Sequence, residues 1–483
     1  MKLSALITEI KPKQRTLPEA NPEVESLCFD SRNLEVGALF VAVSGTLTDG
    51  HLYITQAIQR GAVCIICEEL PVELSAQIPY IVVEDSRIAL GLIASSFWGH
   101  PSKALTLVGV TGTNGKTTTA TLLYRLFTAL GYPCGLISTI ENYIDNTRLP
   151  SHHTTPDVLE LNQLLAQMVT KGCAYCFMEV SSHAVDQERV AGICFSGAIF
   201  SNLTHDHLDY HHTFAAYLTC KKRLFDQLPP TAFALVNIDD KNGEVMLQNT
   251  AAQKYSYACK RMADFKGRIV EQSIDGMILR IDNTELSTSF IGRHNAYNLL
   301  AVYATSRLLG VEKEELLCAM STLKCVSGRL EYLKGKRQIT AVVDYAHTPD
   351  ALKNALATLQ EVVTPEQALY AVVGCGGDRD KTKRPQMARI AFENSTQVIF
   401  TSDNPRFEDP LVIINEMLEG LTAEERKRCI VIPDRKEAIK TAVLLAPDKS
   451  VLLVAGKGHE DYQDVQGIKH HFDDKEILQA YLT

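Results

Sequence analysis

The sequence predicts an α/β protein with two successive parallel sheets, and three features of the chain predict it. From Leu105 onward, short apolar runs alternate with helix-length segments, the pattern of strands joined by crossover helices. That pattern restarts after Ser327-Gly328-Arg329. A loop rich in glycine and threonine follows the first of these strands, at the carboxyl end where open α/β sheets bind ligands.

Taken in order, residues 1–101 read as a small α/β unit, with Gly37-Ala-Leu-Phe-Val-Ala-Val43 as its clearest strand and His100-Pro101-Ser102 as the linker that ends it. Residues 102–330 begin with the strand Leu105 to Val110. The glycine loop leads into a helix over Thr117 to Leu130, stopped at Gly131. Further strands are expected at Tyr175 to Val180, Gly197 to Phe200 and Ala232 to Val236. Residues 331–483 carry five short apolar strands: Ile339 to Val343, Leu369 to Val373, Gln397 to Phe400, Cys429 to Ile432 and Val451 to Val454. Helices over Pro349 to Val362 and Arg435 to Leu445 make this a second doubly wound sheet.

A length of 483 residues suits about three domains. With 57 acidic and 48 basic residues the net charge is −9, which argues against a protein whose main task is to grip nucleic acid. The first fourteen residues hold too short an apolar run for a signal peptide, and no stretch reaches the ~18 apolar residues of a membrane span. Thirteen scattered cysteines, an odd number, do not form a disulfide framework. Cys173 and Cys176 sit in a strand-like run, where three-residue spacing puts them on opposite faces, so they read as core. A cytoplasmic monomer is expected.

The strongest chemical signal is Gly109-Val-Thr-Gly-Thr-Asn-Gly-Lys-Thr-Thr-Thr119, between strand and helix. The backbone of Gly112, Thr113, Asn114 and Gly115 can wrap phosphate, and free amides at the helix start favour anions. Lys116 can reach the β/γ-phosphates of ATP, the Thr117 hydroxyl can hold Mg²⁺, and Thr118 opens the helix beside them. Val110 departs from the common phosphate-loop spacing, which places glycine there. Glu179 ends an apolar strand, and a carboxylate there suits a magnesium site built from oxygen ligands. The segment from Asn202 to His212 holds four histidines and two aspartates. Zinc is the first metal such a cluster suggests; the nearby triphosphate chemistry shifts the expectation to magnesium, with one or two of these side chains taking part.

These stretches together resemble the Mur ligase family. The resemblance runs from Asp30-Ser-Arg32 to Gln463 and includes the phosphate loop, Met178-Glu-Val-Ser-Ser-His183 and Asn202 to His211. It continues through Gly292-Arg-His-Asn-Ala-Tyr-Asn298, Asp344-Tyr-Ala-His-Thr-Pro349 and Gly374-Cys-Gly-Gly-Asp-Arg-Asp380. Asp403-Asn-Pro-Arg406 and Gly456-Lys-Gly-His-Glu-Asp-Tyr-Gln463 are similar to its diaminopimelate-adding branch. The resemblance implies a UDP-substrate domain (1–101), an ATP-binding domain (102–330) and an amino-acid-binding domain (331–483). It also implies ATP-dependent ligation of meso-2,6-diaminopimelate to UDP-N-acetylmuramoyl-L-alanyl-D-glutamate through an acyl phosphate, in peptidoglycan precursor synthesis.

Residue by residue, the resemblance places Thr117, Glu179 and His207 at magnesium, and Lys221 beside them as a carbamate. Asn295, Asp344 and His347 fall at nucleotide-contacting positions. Ser31, Thr154, Thr155, Ser181, Gln187 and Arg189 fall where the UDP-muramoyl peptide is held. Arg379, Asp403, Asn404, Pro405, Arg406, Gly456 and Glu460 form the diaminopimelate pocket. On chemistry alone, Arg406 behind rigid Pro405 suits the carboxylate of a second amino-acid head at a substrate's far end, which lysine lacks. A lysine- or folate-type ligase, a phosphate-loop kinase and a nucleotide-gated binding module are the alternatives.

Overall fold

The computed structural model describes all residues except Thr46, Leu47, His152 and 205–207, and only the backbone of Leu208 and Asp209. The chain divides into two compact units, Met1–Phe265 with Ala301–Val311, and Lys266–Leu300 with Glu312–Thr483.

The first unit holds two sheets. Strands β1 (Gln14–Arg15), β2 (Ser26–Cys28), β3 (Ala38–Val41), β4 (Cys64–Cys67) and β5 (Tyr80–Val82) run in the order β1-β5-β4-β3-β2, parallel except for β1. The second sheet contains β6 (Thr106–Thr111), β7 (Cys134–Ile137), β8 (Glu141–Ile144), β9 (Thr147–Pro150), β10 (Tyr175–Glu179), β11 (Gly197–Phe200), β12 (Phe233–Asn237) and β13 (Gln253–Ala258). Its order is β13-β12-β11-β6-β10-β7-β8-β9, parallel from β13 through β7. Helices cover β6 and β10, which is why their apolar runs are continuous rather than alternating. The order puts β6 between β10 and β11, so the carboxyl ends of all three converge on the phosphate loop.

The second unit contains an antiparallel meander, β14 (Phe265–Ser273, its first residue in the other unit), β15 (Gly276–Ile281) and β16 (Thr284–Thr288). It is an addition to the expected alternation. Its signal was local: Asp282 and Asn283 have φ of +44° and +66°, the two-residue turn that matches strand twist. The unit's main sheet holds β17 (Glu331–Lys334), β18 (Thr340–Asp344), β19 (Leu369–Val373), β20 (Gln397–Phe400), β21 (Ile430–Val431) and β22 (Val451–Ala455) in the order β17-β18-β22-β19-β20-β21. All its pairings are parallel except the antiparallel edge strand β17. The five expected strands are present, and β22 sits at the centre because Val451–Ala455 is apolar at every position. A hairpin of β23 (Tyr462–Val465) and β24 (Ile468–His471) precedes the helix Asp474–Leu482.

All thirteen cysteines are free, and burial raises the Cys173 and Cys176 thiols, as suits core residues. Among the described residues no helix is long and apolar enough to cross a membrane.

Candidate functional site

The expected site residues fall into two groups, one in each compact unit. In the first unit, β6 ends at Thr111 and the chain turns through Gly112, whose φ is +146°. A Cβ at Gly112 would lie 2.0 Å from Ser201 Oγ, so glycine is required both by conformation and by space. The loop is clasped by the end of β11. Asn202 O accepts from Thr113 N at 2.8 Å, Asn202 Oδ1 from Asn114 N at 3.0 Å, and Asn114 O accepts from Ser201 Oγ at 2.6 Å. Gly115 precedes the helix Lys116–Ala129, and Thr117 and Thr118 are buried in its first turn.

Lys116 Nζ donates to the carbonyls of Gly112 and Thr113 at 3.0 and 2.9 Å, curling over the loop it would serve. Thr117 Oγ1 donates to Glu179 Oε2 at 3.0 Å; Glu179 is fully buried, and its Oε1 accepts from Thr139 N at 2.7 Å. Lys221, also buried, donates to Gly112 O at 3.0 Å and stands 4.8 Å above the Tyr217 ring. Its neighbour Lys222 points away and pairs with Asp226 at 2.6 Å, so Lys221 is the lysine that faces the loop. His207 lies outside the described residues. Among those described, no group of three or more His, Cys, Asp and Glu is arranged to hold a metal.

Beyond Glu179 a polar chain continues. Thr155 Oγ1 donates to Glu179 O at 2.8 Å and accepts from Ser181 N at 3.1 Å, while Ser181 Oγ caps the next short helix through Ala184 N. Thr154 Oγ1 accepts from Thr139 Oγ1. Arg189 donates to Thr155 O at 2.8 Å and, through Nε and Nη2, to Gln187 Oε1 at 3.0 and 2.7 Å. Gln187 and Arg189 also line a cavity of about 230 Å³ with Phe29, Arg87, His153 and Asp157. Ser31 lies apart from this chain: it turns inward and donates to Gln56 Oε1 at 2.8 Å. Arg87 and Asp157 were missed from sequence; each follows or forms a helix cap, which gave a structural reason for it and masked any other.

In the second unit Asn295, Asp344 and His347 occupy the start of a helix and the end of β18. Asn295 is buried, with Nδ2 donating to Ile291 O at 2.9 Å and Oδ1 accepting from Asn298. Asp344 Oδ2 accepts from Leu330 N at 2.8 Å; desolvation raises its carboxyl, opposed by Arg329 and two backbone amides. His347 Nδ1 bonds the Tyr345 carbonyl at 2.8 Å.

The residues expected to hold diaminopimelate lie around the ends of β20 and β22. Asp403 and Asn404 are buried, and Pro405 leads into Arg406, whose φ is +51°. A non-glycine residue in this region is held there by its surroundings. Here the backbone bonds are Arg406 N to Asp464 O and Gln466 N to Arg406 O. Arg406 makes one side-chain hydrogen bond among the described residues, Nη1 to Gly377 O at 2.7 Å, which leaves most of its fork of donors for a ligand. Arg379 is exposed on the same loop after β19. Gly456, with φ +117°, passes so close to Asp403 that a Cβ would sit 2.3 Å from Oδ2. That Oδ2 is buried and accepts no hydrogen bond from any described residue.

Buried ions, invisible as a group in the sequence, support this pocket. Lys457 is fully buried and donates to Asn404 Oδ1 at 3.1 Å and Glu460 Oε2 at 3.2 Å. Arg384 reaches both oxygens of Glu408 at 2.8 and 2.9 Å, together with Glu416 and Gly376 O, and pushes the Glu408 carboxyl down to about 2. Arg435 Nε and Nη2 grip Asp474 at 2.8 and 2.7 Å with both side chains wholly buried, and Nη2 also reaches Ala455 O at 3.0 Å.

Comparison with known proteins gives one consistent picture. Three family models match in chain order: Mur ligase family, catalytic domain, over residues 23–98; Mur ligase middle domain over 110–306; and Mur ligase, glutamate ligase domain, over 328–458. The chain is 54% identical to the UDP-N-acetylmuramoyl-L-alanyl-D-glutamate–2,6-diaminopimelate ligase of Phocaeicola vulgatus over 99% of each chain. It is 53% identical to the protein of the same name from Bacteroides fragilis, over 100% of this chain and 99% of that one. A solved structure of a UDP-N-acetylmuramoyl-L-alanyl-D-glutamate–2,6-diaminopimelate ligase superposes with a TM-score of 0.72 at 31% identity, over 100% of this chain and 98% of the other. With a phosphate loop, a buried loop-side carboxylate and a charged pocket at the strand ends of its second unit, the chain belongs to the Mur ligase family.

Proposed function

We propose that this ligase acts as a cytoplasmic monomer that joins 2,6-diaminopimelate, in its meso form, to UDP-N-acetylmuramoyl-L-alanyl-D-glutamate at the expense of ATP. The observation that carries the reading is the pocket at the ends of β20 and β22. It offers an arginine fork with donors to spare and a buried carboxylate oxygen with no donor among the described residues, which suits a substrate whose far end presents both a carboxylate and an ammonium.

The chemistry follows from the charges. The free carboxylate of the UDP-linked dipeptide attacks the γ-phosphorus of ATP, the bond to the β-phosphate bridging oxygen breaks, and ADP leaves. The amine of diaminopimelate then attacks the acyl phosphate carbon and expels phosphate, with loss of the ammonium proton. The loop amides of Gly112 to Gly115 cradle the triphosphate while Lys116 turns from the loop carbonyls to the γ-phosphate, so the protein mainly positions groups and offsets charge. Thr117 and Glu179 present only oxygen, as magnesium prefers, and they are the residues that would hold Mg²⁺ together with His207; bound there, it would offset phosphate charge. Lys221 as a carbamate would add another oxygen donor on the same side of the loop. Asn295, Asp344 and His347 serve the nucleotide. Ser31, Thr154, Thr155, Ser181, Gln187 and Arg189 hold the UDP-muramoyl peptide. The domain division 1–101, 102–330 and 331–483 belongs to the same proposal.

The test is phosphate release from ATP in the presence of the UDP-muramoyl dipeptide, with diaminopimelate or lysine and product masses read directly. Diaminopimelate should be the much better acceptor, because lysine has no second carboxylate at its far end to fill the arginine fork. Equal kcat/KM for the two would overturn the acceptor assignment.

A further inference from the structure

We propose that Lys457 is a positioning residue of the amino-acid pocket: its buried ammonium locks Asn404 and Glu460 together and cancels one of the pocket's two acidic charges, leaving Asp403 as the carboxylate that meets the incoming ammonium. This rests on the amino-acid-ligase reading given above.

Lysine almost never buries its amine, because an ammonium withdrawn from water must be compensated by hydrogen bonds and opposite charge. Lys457 is 0% exposed, and its compensation comes from the pocket itself. Its Nζ lies 3.1 Å from Asn404 Oδ1 and 3.2 Å from Glu460 Oε2, and 5.4 Å from the Tyr462 ring centre. The triangle closes because Asn404 Nδ2 donates to the same Glu460 Oε2 at 2.8 Å. Asn404 Oδ1 also accepts from Asp464 N at 2.9 Å, so the amide is held in one orientation from both ends. Three groups from the loop after β20 and the loop after β22 are thereby fixed as one unit.

The consequence is a division of labour between two acids. Glu460 Oε2 already accepts from a lysine and an amide, and its charge is matched. Asp403 Oδ1 accepts from Asn404 N at 2.7 Å, but Oδ2 has no donor among the described residues and lies against Gly456, where a Cβ would stand 2.3 Å from it. Arg435 acts on Asp403 and Glu460 through space, but its charge is matched by Asp474 and its donors go to Asp474, Ser402 O and Ala455 O rather than to Asp403 Oδ2. Around this carboxylate, Asp403, Glu460 and Lys457 together leave one negative charge and one acceptor with no donor among the described residues, the complement of a single ammonium, while Arg379 and Arg406 supply the positive charge for a substrate carboxylate. Without Lys457, two buried carboxylates would share the site, and their mutual repulsion would disturb both the orientation of Glu460 and the charge offered to the substrate.

The experiment is steady-state kinetics on the full chain with ATP, the UDP-muramoyl dipeptide and diaminopimelate, for Lys457→Met, Glu460→Gln and the double variant. Lys457→Met should raise KM for diaminopimelate by about thirtyfold or more, with kcat within about threefold and KM for ATP unchanged, since a buried charge loses its partner only in this pocket. The double variant removes both charges and should recover at least about fivefold of that KM. A Lys457→Met protein with an unchanged KM and only a lowered melting temperature overturns the proposal, because the lysine would then serve the fold alone. So does a double variant in which the two effects simply multiply. If Lys457→Met does not fold, the double variant decides: folding with a KM for diaminopimelate no higher than that of Glu460→Gln alone supports charge cancellation, and a higher KM or failure to fold overturns it. Failure of the underlying ligase reading is separately visible, as wild-type protein that releases no phosphate when diaminopimelate is supplied.

Discussion

The phosphate loop of the first unit and the amino-acid pocket of the second each prepare for a charged group, but from different materials. The loop is contiguous: four residues between β6 and its helix turn their amides inward, clasped by Ser201 and Asn202, and only Lys116 contributes full positive charge from the loop itself. The pocket is assembled from the ends of separate strands, and its form depends on ions buried behind it. A loop made of backbone tolerates side-chain change wherever the main chain can keep its path. A pocket made of side chains inherits the weaknesses of every ion pair that supports it, because removing one partner strands the other in a medium where its charge is costly.

The largest break in this contrast is Lys116→Ala. Removing the loop's own cation should lower kcat at least about a thousandfold, roughly 4 kcal/mol of barrier, while the melting temperature stays close to wild type. Single-turnover detection of ADP in the absence of diaminopimelate would check it, and near-normal ADP formation would show that Lys116 is dispensable. Gly456→Ala attacks the other site through space: its Cβ would collide with Asp403 Oδ2 and φ +117° would be strained, so KM for diaminopimelate should rise about a hundredfold. The KM for ATP should not move, and an equal rise in both would show that the variant acts through the fold and not through this pocket.

Arg406→Lys sharpens the comparison by keeping charge and removing geometry. Preference for diaminopimelate over lysine should fall by about tenfold to a hundredfold, measured as a ratio of kcat/KM, because an ammonium lacks the planar fork. The smallest effect belongs to Lys222→Ala. It loses a single i,i+4 pair with Asp226, worth about 0.3–0.5 kcal/mol, so activity should remain close to wild type and melting should shift by only a degree or two. A large loss of activity would reassign the loop-facing role from Lys221 to Lys222.

The same contrast explains what could be read in advance. Strands such as β22 were legible because they are apolar throughout, as Val451–Ala455 is, whereas the parallel strand β13, Gln253-Lys-Tyr-Ser-Tyr-Ala258, was not expected because it is half polar. The phosphate loop was legible because its residues are adjacent and its glycines have no better explanation. The meander of β14 to β16 escaped because β15 reads Gly276-Met-Ile-Leu-Arg-Ile281, with no alternation of polar and apolar residues, although burial alternates along it once it is folded. Arg87 and Asp157 escaped because a helix cap already accounted for their neighbourhood. Lys457 sat inside a recognised motif, yet only folding brings its amine to Asn404, 53 positions earlier in the chain. Its burial is a property of the sheet order and leaves no local trace.

The grip of Arg435 on Asp474 has a practical side. Asp474 opens the helix that runs to Leu482, while the same guanidinium holds the carbonyl of Ala455, one residue before the glycine beside Asp403. The closing stretch of sequence is therefore wired to the chemistry rather than appended to it. A fusion, affinity tag or trimming that unwinds this helix would loosen the strand end that shapes the acceptor site. Activity would then fail in a preparation that still looks folded.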